Sequence, residues 1–355
     1  MQGGMGVGIS LDGLASAVAN QGGVGVISVA GIGWNEPNWE TDFPNANIEA
    51  LRKVIRRARE KTSGILGVNI MVALTNFEDM VRVSVEEKID IIFCGAGLPM
   101  KLPAIVGESA KTKLAPIISS GRAAAILCKA WLNRYKSVPD AVVLEGPLAG
   151  GHLGFSREQL KNIGDYDLKK LIRETFAALK PFVEETGRKI PIIAGGGIFT
   201  GQDVAETLTV GADAVQIATR FVGTLECDAD DAFKETYIKA GKPEDIVLID
   251  SPVGMPGRAV KNEFLERVEI GERTPIRCYY HCLRTCRPKQ SPYCIAQALT
   301  NAKRGLLQEG FAFAGANAWR VNKIVSVKEL MDELIDEAEQ NYLSSGAKPD
   351  GHRPA

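Results

Sequence analysis

"IPIIAGGGIFTGQDVAETLTVGADAVQIATRF", residues 190–221, holds two copies of one local pattern. A short apolar run (IPIIA, 190–194) leads into three glycines and an amphipathic stretch that starts near Gly201. A second run (DAVQIA, 213–218) then leads into another turn. Continuous rather than alternating apolar residues suit parallel strands covered on both faces. Two strand-turn-helix units in tandem therefore predict an α/β chain whose strand ends are glycine-lined.

The same alternation extends back to the start of the chain. Apolar runs occur at VGVISV (24–29), ILGVNIM (65–71), DIIFC (90–94), APIIS (115–119) and DAVVLE (140–145). Between them lie amphipathic helices. One spans 47–62, with Ile48, Leu51, Val54, Ile55 and Ala58 at helical spacing and Asn47 placed as its N-cap. Leu11 to Gln21 reads as another helix, ended by glycine. Seven strands are one short of a closed barrel, and the missing strand would precede the first helix, where the chain opens abruptly on "MQGGMGVGIS". The expectation is a (β/α)8 TIM barrel over residues 1–225 whose first strand is a truncated stub. A doubly wound open sheet is the competing topology.

After residue 225 the rhythm changes. "SPVGMPGRAVKNEF" (251–264) reads as a Pro/Gly-rich connection, followed by helices near 292–309 and 327–343. Residues 226–345 are expected to form a mainly helical appendage on one end of the barrel, with a surface for a homodimer. Residues 346–355, which include His352, read as a disordered tail.

Bulk properties exclude several classes. The chain has 355 residues, 45% of them hydrophobic and 24% charged, enough apolar material for a large core. Its 42 basic and 43 acidic residues nearly cancel, so no nucleic-acid footprint is present. No apolar run reaches the ~18 residues of a membrane span, and no signal peptide is visible. The chain reads as cytoplasmic, with no membrane partner. Of seven cysteines, Cys278, Cys282, Cys286 and Cys294 cluster around His281. Were 278–286 helical, the first three thiols would stack on one face. Together with Cys294 they could hold an iron–sulfur cluster or zinc, although the spacing matches no common motif. Free packing thiols are the alternative.

In a parallel barrel, function lies at the C-terminal strand ends. Gly195, Gly196 and Gly197, with the helix start near Gly201 and the strand end Gln216–Thr219, form a candidate phosphate cradle, since bare amides and a helix N-terminus suit an anion. His152 sits in "EGPLAGGHLGF" (145–155), after the strand at 140–145. A lone histidine is more often structural than catalytic, but Gly150, Gly151 and Gly154 would let this ring approach a ligand.

These stretches, with "QGGMG" (2–6), "GVNIM" (67–71), "AGGHLG" (149–154), "PIIAGGGI" (191–198), "GADAVQIATRF" (211–221) and "SPVGMPGRA" (251–259), resemble the nitronate monooxygenase family. That family is similar in its FMN-binding barrel to flavin-dependent enoyl-ACP reductases. The resemblance implies FMN, with Gln2, Gly3, Gly4, Met5 and Asn69 at the ring and Gly150 and Gly151 beside it. It further implies Gly195, Gly196, Gly197, Gln216, Ala218 and Thr219 at the phosphate, and His152 as the catalytic residue. The implied reaction is oxidation of a small-molecule nitronate with O2. His152 would bind the anionic nitro group or first deprotonate a nitroalkane.

The alternatives are an NAD(P)H-dependent enoyl-thioester or enone reductase, an electron-transfer flavoprotein using the cysteines, and a barrel for another phosphate ester. No separate NAD(P)H fingerprint occurs. One departure stands out: the commoner pattern Glu-Ala-Gly-Gly-His has its carboxylate four residues before the histidine. Here Leu148 holds that place and Glu145 lies seven before.

Overall fold

The computed structural model describes residues 1–276, 278 and 281–344. The chain folds as an α/β barrel. Its central sheet contains β1 (Gly25–Ser28), β2 (Leu66–Met71), β3 (Ile91–Gly95), β4 (Lys113–Ile118) and β5 (Val142–Glu145). After the short β6 (Gly151–His152), which lies outside that sheet, come β7 (Ile192–Gly195) and β8 (Ala214–Gln216). All seven neighbours run parallel in the order β1-β2-β3-β4-β5-β7-β8.

The eighth position is filled by the first residues of the chain. Gln2 bridges Ile217 in parallel on one side, and its N–H donates to Val24 O on the other. The Gln2 side chain is fully buried and accepts from Val26 N–H at 2.8 Å. Backbone pairing of residues 1–3 with both neighbours, and a side-chain amide held by Val26, close the barrel with little more than one residue of ladder.

Helices cover the strands in the expected alternation: α1 (Asp12–Asn20), α2 (Phe43–Lys61), α3 (Phe77–Glu86), α4 (Leu102–Val106), α5 (Gly121–Tyr135), α6 (Arg157–Lys161), α7 (Leu168–Thr186), α8 (Gly201–Val210) and α9 (Thr219–Val222). Leu51, Val54 and Met80 pack on the outer faces of β1 and β2, while Val26, Phe93, Ala115 and Val143 fill the barrel interior. Burial on both faces explains why the strands read as unbroken apolar runs.

The N-cap expected at Asn47 is corrected. The cap is Asp42, whose side chain accepts from Asn45 N–H, and Asn47 lies inside α2. There the buried Asn47 amide accepts from Gly33 N–H and donates to Phe43 O, so a long-range contact accounts for its polarity.

Beyond β8 come α10 (Asp231–Lys239), β9 (Ile246–Asp250), β10 (Pro256–Val260), α11 (Glu263–Glu269), α12 (Ile295–Lys303) and α13 (Val327–Ser344). The four-residue α9 is too short to cover its strand, and α13 takes that role. Leu330 and Leu334 pack with Leu14 and Val18 of α1 and with Ile217 and Phe221. The segment read as a Pro/Gly connection is instead half of an antiparallel hairpin, β9–β10, which adds to β6. This part of the chain is thus not helical throughout. The expected tail at 346–355 lies outside the described residues. None of the described helices is long and apolar enough to cross a membrane.

Candidate active site

A cavity of about 260 Å³ opens at the C-terminal ends of the strands, lined from every side by loops of the barrel and by residues 313–317. Gly3, Gly4, Met5, Asn69, Gly150, Gly151, His152, Gly196, Gly197, Gln216, Ala218 and Thr219 all line it. Residues from five separate stretches, spread over more than 200 positions, meet there.

Two of the expected residues do not line it. Gln2 belongs to the barrel wall, as above. Gly195 is the last residue of β7, and a Cβ there would lie 3.1 Å from the Gln216 side chain and backbone. Its lack of a side chain makes room for Gln216 rather than for a ligand.

The expected anion seat at Gly201 is also corrected. Gly201 N–H donates to the Glu337 carboxylate at 2.8 Å, and Asp203 N–H is capped by Thr200 Oγ1 at 3.1 Å. With its first amides satisfied within the protein, α8 has little left for a ligand. Gly196, Gly197 and Ile198, earlier in the chain, line the cavity together with Ala218 and Thr219. Gly196 and Gly197 have φ of 100° and 95°, the left-handed half of backbone space that glycine enters without strain. Asn317 Nδ2 donates to Gly197 O at 2.6 Å and fixes that loop from the far side.

At the other end, His152 is placed by strand pairing. It lies opposite Gly257 of β10, and Leu153 N–H donates to Pro256 O at 2.9 Å. Its Nε2 is 2.7 Å from Ser251 Oγ, and Phe313 meets the imidazole edge-on with centroids 4.9 Å apart. Burial lowers its pKa from the usual 6.5 to about 4, so the ring is neutral at physiological pH. Nδ1 has no partner among the described residues. Where Ser251 O–H donates to Nε2, the imidazole proton lies on Nδ1.

Sequence reasoning left several site residues without a role. Glu145 ends β5 in the cavity, and burial raises its pKa to about 7 although Gln216 Nε2 donates to it at 3.3 Å. Leu148, in the place of the commoner carboxylate, forms apolar wall with Leu299 and Phe313. Ser251 and Arg258 belong to a hairpin whose partner strand is about a hundred residues away, so no local pattern marks them.

The four clustered cysteines are half-buried, and Leu283, among them, forms an isolated antiparallel bridge with Leu74. No helix is assigned to the described residues of 278–286, so the premise of stacked thiols fails. Among the described residues no group of three or more His, Cys, Asp or Glu side chains is placed to hold a metal ion, and the expected metal site finds no support.

A sequence model of the family described as nitronate monooxygenase matches residues 1–83 and 59–337. The chain belongs to the nitronate monooxygenase family. It is an oxidoreductase on that family's barrel. A Mycobacterium tuberculosis protein, (3aS,4S,5R,7aS)-5-hydroxy-7a-methyl-1-oxo-octahydro-1H-indene-4-carboxyl-CoA dehydrogenase, is 27% identical over 73% of this chain. The match spans 62% of that relative, less than two thirds of its length. A probable nitronate monooxygenase of Staphylococcus saprophyticus is 25% identical over 72% of this chain and 73% of its own. The solved structure of FabK from Thermotoga maritima superimposes with a TM-score of 0.73 at 27% identity, covering 97% of this chain and 94% of FabK.

Proposed function

We propose that this oxidoreductase binds FMN and oxidises alkyl nitronates with dioxygen. The cavity fits the cofactor on two counts. A Cβ at the cavity-lining Gly151 would meet nothing within 4 Å, so the ring end is open beside it. The amides of Gly196 to Ile198 and of Ala218 and Thr219 offer a phosphate end. Gly3, Gly4, Met5, Asn69, Gly150 and Gly151 would hold the ring. When bound, the flavin supplies the electron transfer, and the protein supplies placement and electrostatics.

The observation that carries the reading is the neutral His152 tied through Nε2 to Ser251. An imidazole with a pKa near 4 is a poor base for a nitroalkane but a good N–H donor to a nitronate oxygen. The chain's own contribution is therefore to receive a preformed nitronate, orient it by one hydrogen bond and exclude water with Leu148, Leu299 and Phe313. Purified protein with FMN added back is expected to show flavin bands, which bleach on anaerobic addition of propyl-2-nitronate and hardly at all with 2-nitropropane. No flavin bands after add-back, or equal rates with both compounds, would refute this.

A second reading is an NAD(P)H-dependent reductase of enoyl thioesters or enones. The apolar lining by Leu148, Leu299 and Phe313 favours an uncharged conjugated carbonyl. Bleaching by NADH or NADPH alone would select this reading.

A further inference from the structure

Arg258, on β10, is 5% exposed. Its Nη1 donates to Pro147 O at 2.7 Å and also to Ala149 O. Both acceptors are neutral carbonyls, and they flank Leu148 in the loop that carries His152. Among the described residues no carboxylate pairs with this guanidinium. Burial draws its pKa down to about 10, which leaves it cationic at neutral pH. The other ionisable groups of the site do not compensate it: His152 is neutral, Glu145 is bonded to Gln216, and the Tyr237 hydroxyl donates to Phe313 O.

Buried arginines are almost always paired with an acid, because an isolated charge in a low-dielectric interior is costly. Dipoles of two carbonyls offset only part of that cost. The surroundings show where the remaining compensation comes from. The backbone oxygen of Arg258 accepts from Ala314 N–H at 3.0 Å, and Ala314, Gly315, Leu148, Ala149 and Gly150 all line the cavity. The cation thus stands one layer of backbone behind the cavity wall, at the junction of two of its loops.

We propose that Arg258 is the resident counter-charge of the site, and that its partner is an oxyanion of the bound ligand held against the loop 148–150. The inference rests on the cavity as the binding site but not on which flavin or substrate fills it. The oxyanion has two sources: the phosphate monoester of the cofactor or the nitronate of the substrate.

The test is calorimetric titration of flavin-free protein with inorganic phosphate, nitrite ion, FMN and riboflavin. Arg258→Gln keeps a donor for the carbonyls and removes the charge. Arg258→Lys keeps the charge and replaces the planar guanidinium by an ammonium. Thermal unfolding first confirms that each variant is folded.

The expected result is about ten-fold weaker binding of an oxyanion by Arg258→Gln, with Arg258→Lys within three-fold of wild type and riboflavin unaffected in both. Loss for phosphate and FMN assigns the charge to the cofactor's phosphate, and loss for nitrite assigns it to the substrate end. Wild-type affinities in Arg258→Gln, or equal losses in both variants that include uncharged riboflavin, would overturn the proposal in favour of a loop-holding role alone. If Arg258→Gln does not fold, retained oxyanion binding by Arg258→Lys supports the proposal and its loss overturns it. Wild-type protein that binds phosphate but not FMN would refute the FMN reading and leave this one standing.

Discussion

Two glycine-rich loops follow the neighbouring strands β5 and β7 and line the cavity side by side, and similar composition hides opposite construction. Gly195–Gly197 continues directly from β7 into the α8 cap, so its shape follows from neighbours in sequence. Gly150–His152 leaves β5 as a loop and is held from outside. β10 pairs with it, Arg258 bonds its carbonyls and Ser251 takes the imidazole. The first loop takes its course from the repeating fold, with Asn317 bonded to Gly197 O, whereas the second is held chiefly by a distant hairpin. Chemistry that must be positioned relative to a ligand sits on the second.

The largest test of that contrast is His152→Ala. General acid–base and hydrogen-bonding side chains contribute about 10²–10⁴-fold, so nitronate turnover should fall by at least about a hundred-fold. FMN occupancy should hold, because the phosphate loop is untouched. Turnover and the visible spectrum of the same preparation check both halves, and unchanged turnover removes His152 from the mechanism.

Next comes pH. Glu145 and His152 lie in one cavity and are shifted by the same cause, burial, in opposite senses. Glu145 is raised from 4.5 to about 7, so the folded state holds an extra proton and stability falls as pH rises from about 4.5 to 7. His152 is lowered from 6.5 to about 4, so the unfolded state holds the extra proton and stability rises over about 4 to 6.5. Each effect is on the order of 3 kcal/mol, and they nearly cancel in the overlap. Urea unfolding of flavin-free protein should show Glu145→Gln gaining stability from pH 4.5 to 6.5 and His152→Ala losing it. Parallel curves for wild type and both variants would contradict the opposed shifts.

The loops themselves can be compared by one methyl group. A Cβ at Gly196 would meet Gly146 O at 2.9 Å, whereas at Gly151 (φ 74°) nothing lies within 4 Å. Gly196→Ala combines a clash with left-handed strain and should cost about 2–3 kcal/mol and most FMN affinity. Gly151→Ala carries strain alone, about 1 kcal/mol. Equal melting temperatures for the two would undo the distinction between the loops.

These contrasts also explain what was legible in the sequence. All seven parallel barrel strands, the barrel and six of the cavity-lining glycines (Gly3, Gly4, Gly150, Gly151, Gly196 and Gly197) were, because each strand-turn-helix unit signals itself locally and the pattern repeats. The stub at Gln2 was legible only as a missing strand, and its amide proved to be barrel wall. Asn47 looked like a cap because its reason for being polar, Gly33 N–H, is distant in sequence. The α8 N-terminus looked free because Glu337 occupies it from the last helix. The hairpin at 246–260 was illegible: "SPVGMPGRA" has turn composition, and its strand character comes from pairing with residues 151–152. The commoner Glu-Ala-Gly-Gly-His pattern directed attention to position 148, while the buried carboxylate is one strand end earlier, at Glu145.

The smallest expected effect is the most specific to the second loop. Ser251 is 6% exposed, and its backbone N–H to Met255 O closes the β9–β10 turn whatever its side chain. Ser251→Ala therefore keeps the hairpin pairing and removes the hydrogen bond to Nε2, together with the long one from Val253 N–H to Ser251 Oγ at 3.5 Å. A neutral side-chain hydrogen bond contributes about 1 kcal/mol, so kcat should fall about five- to ten-fold with little change in folding stability. Ser251→Thr, which retains the hydroxyl, should recover most of it. If Ser251 sets which nitrogen carries the proton, ¹⁵N shifts of His152 will show a single tautomer in wild type and a mixture in Ser251→Ala. A loss of turnover without that mixture would mean that Ser251 acts through the hairpin and not through the imidazole.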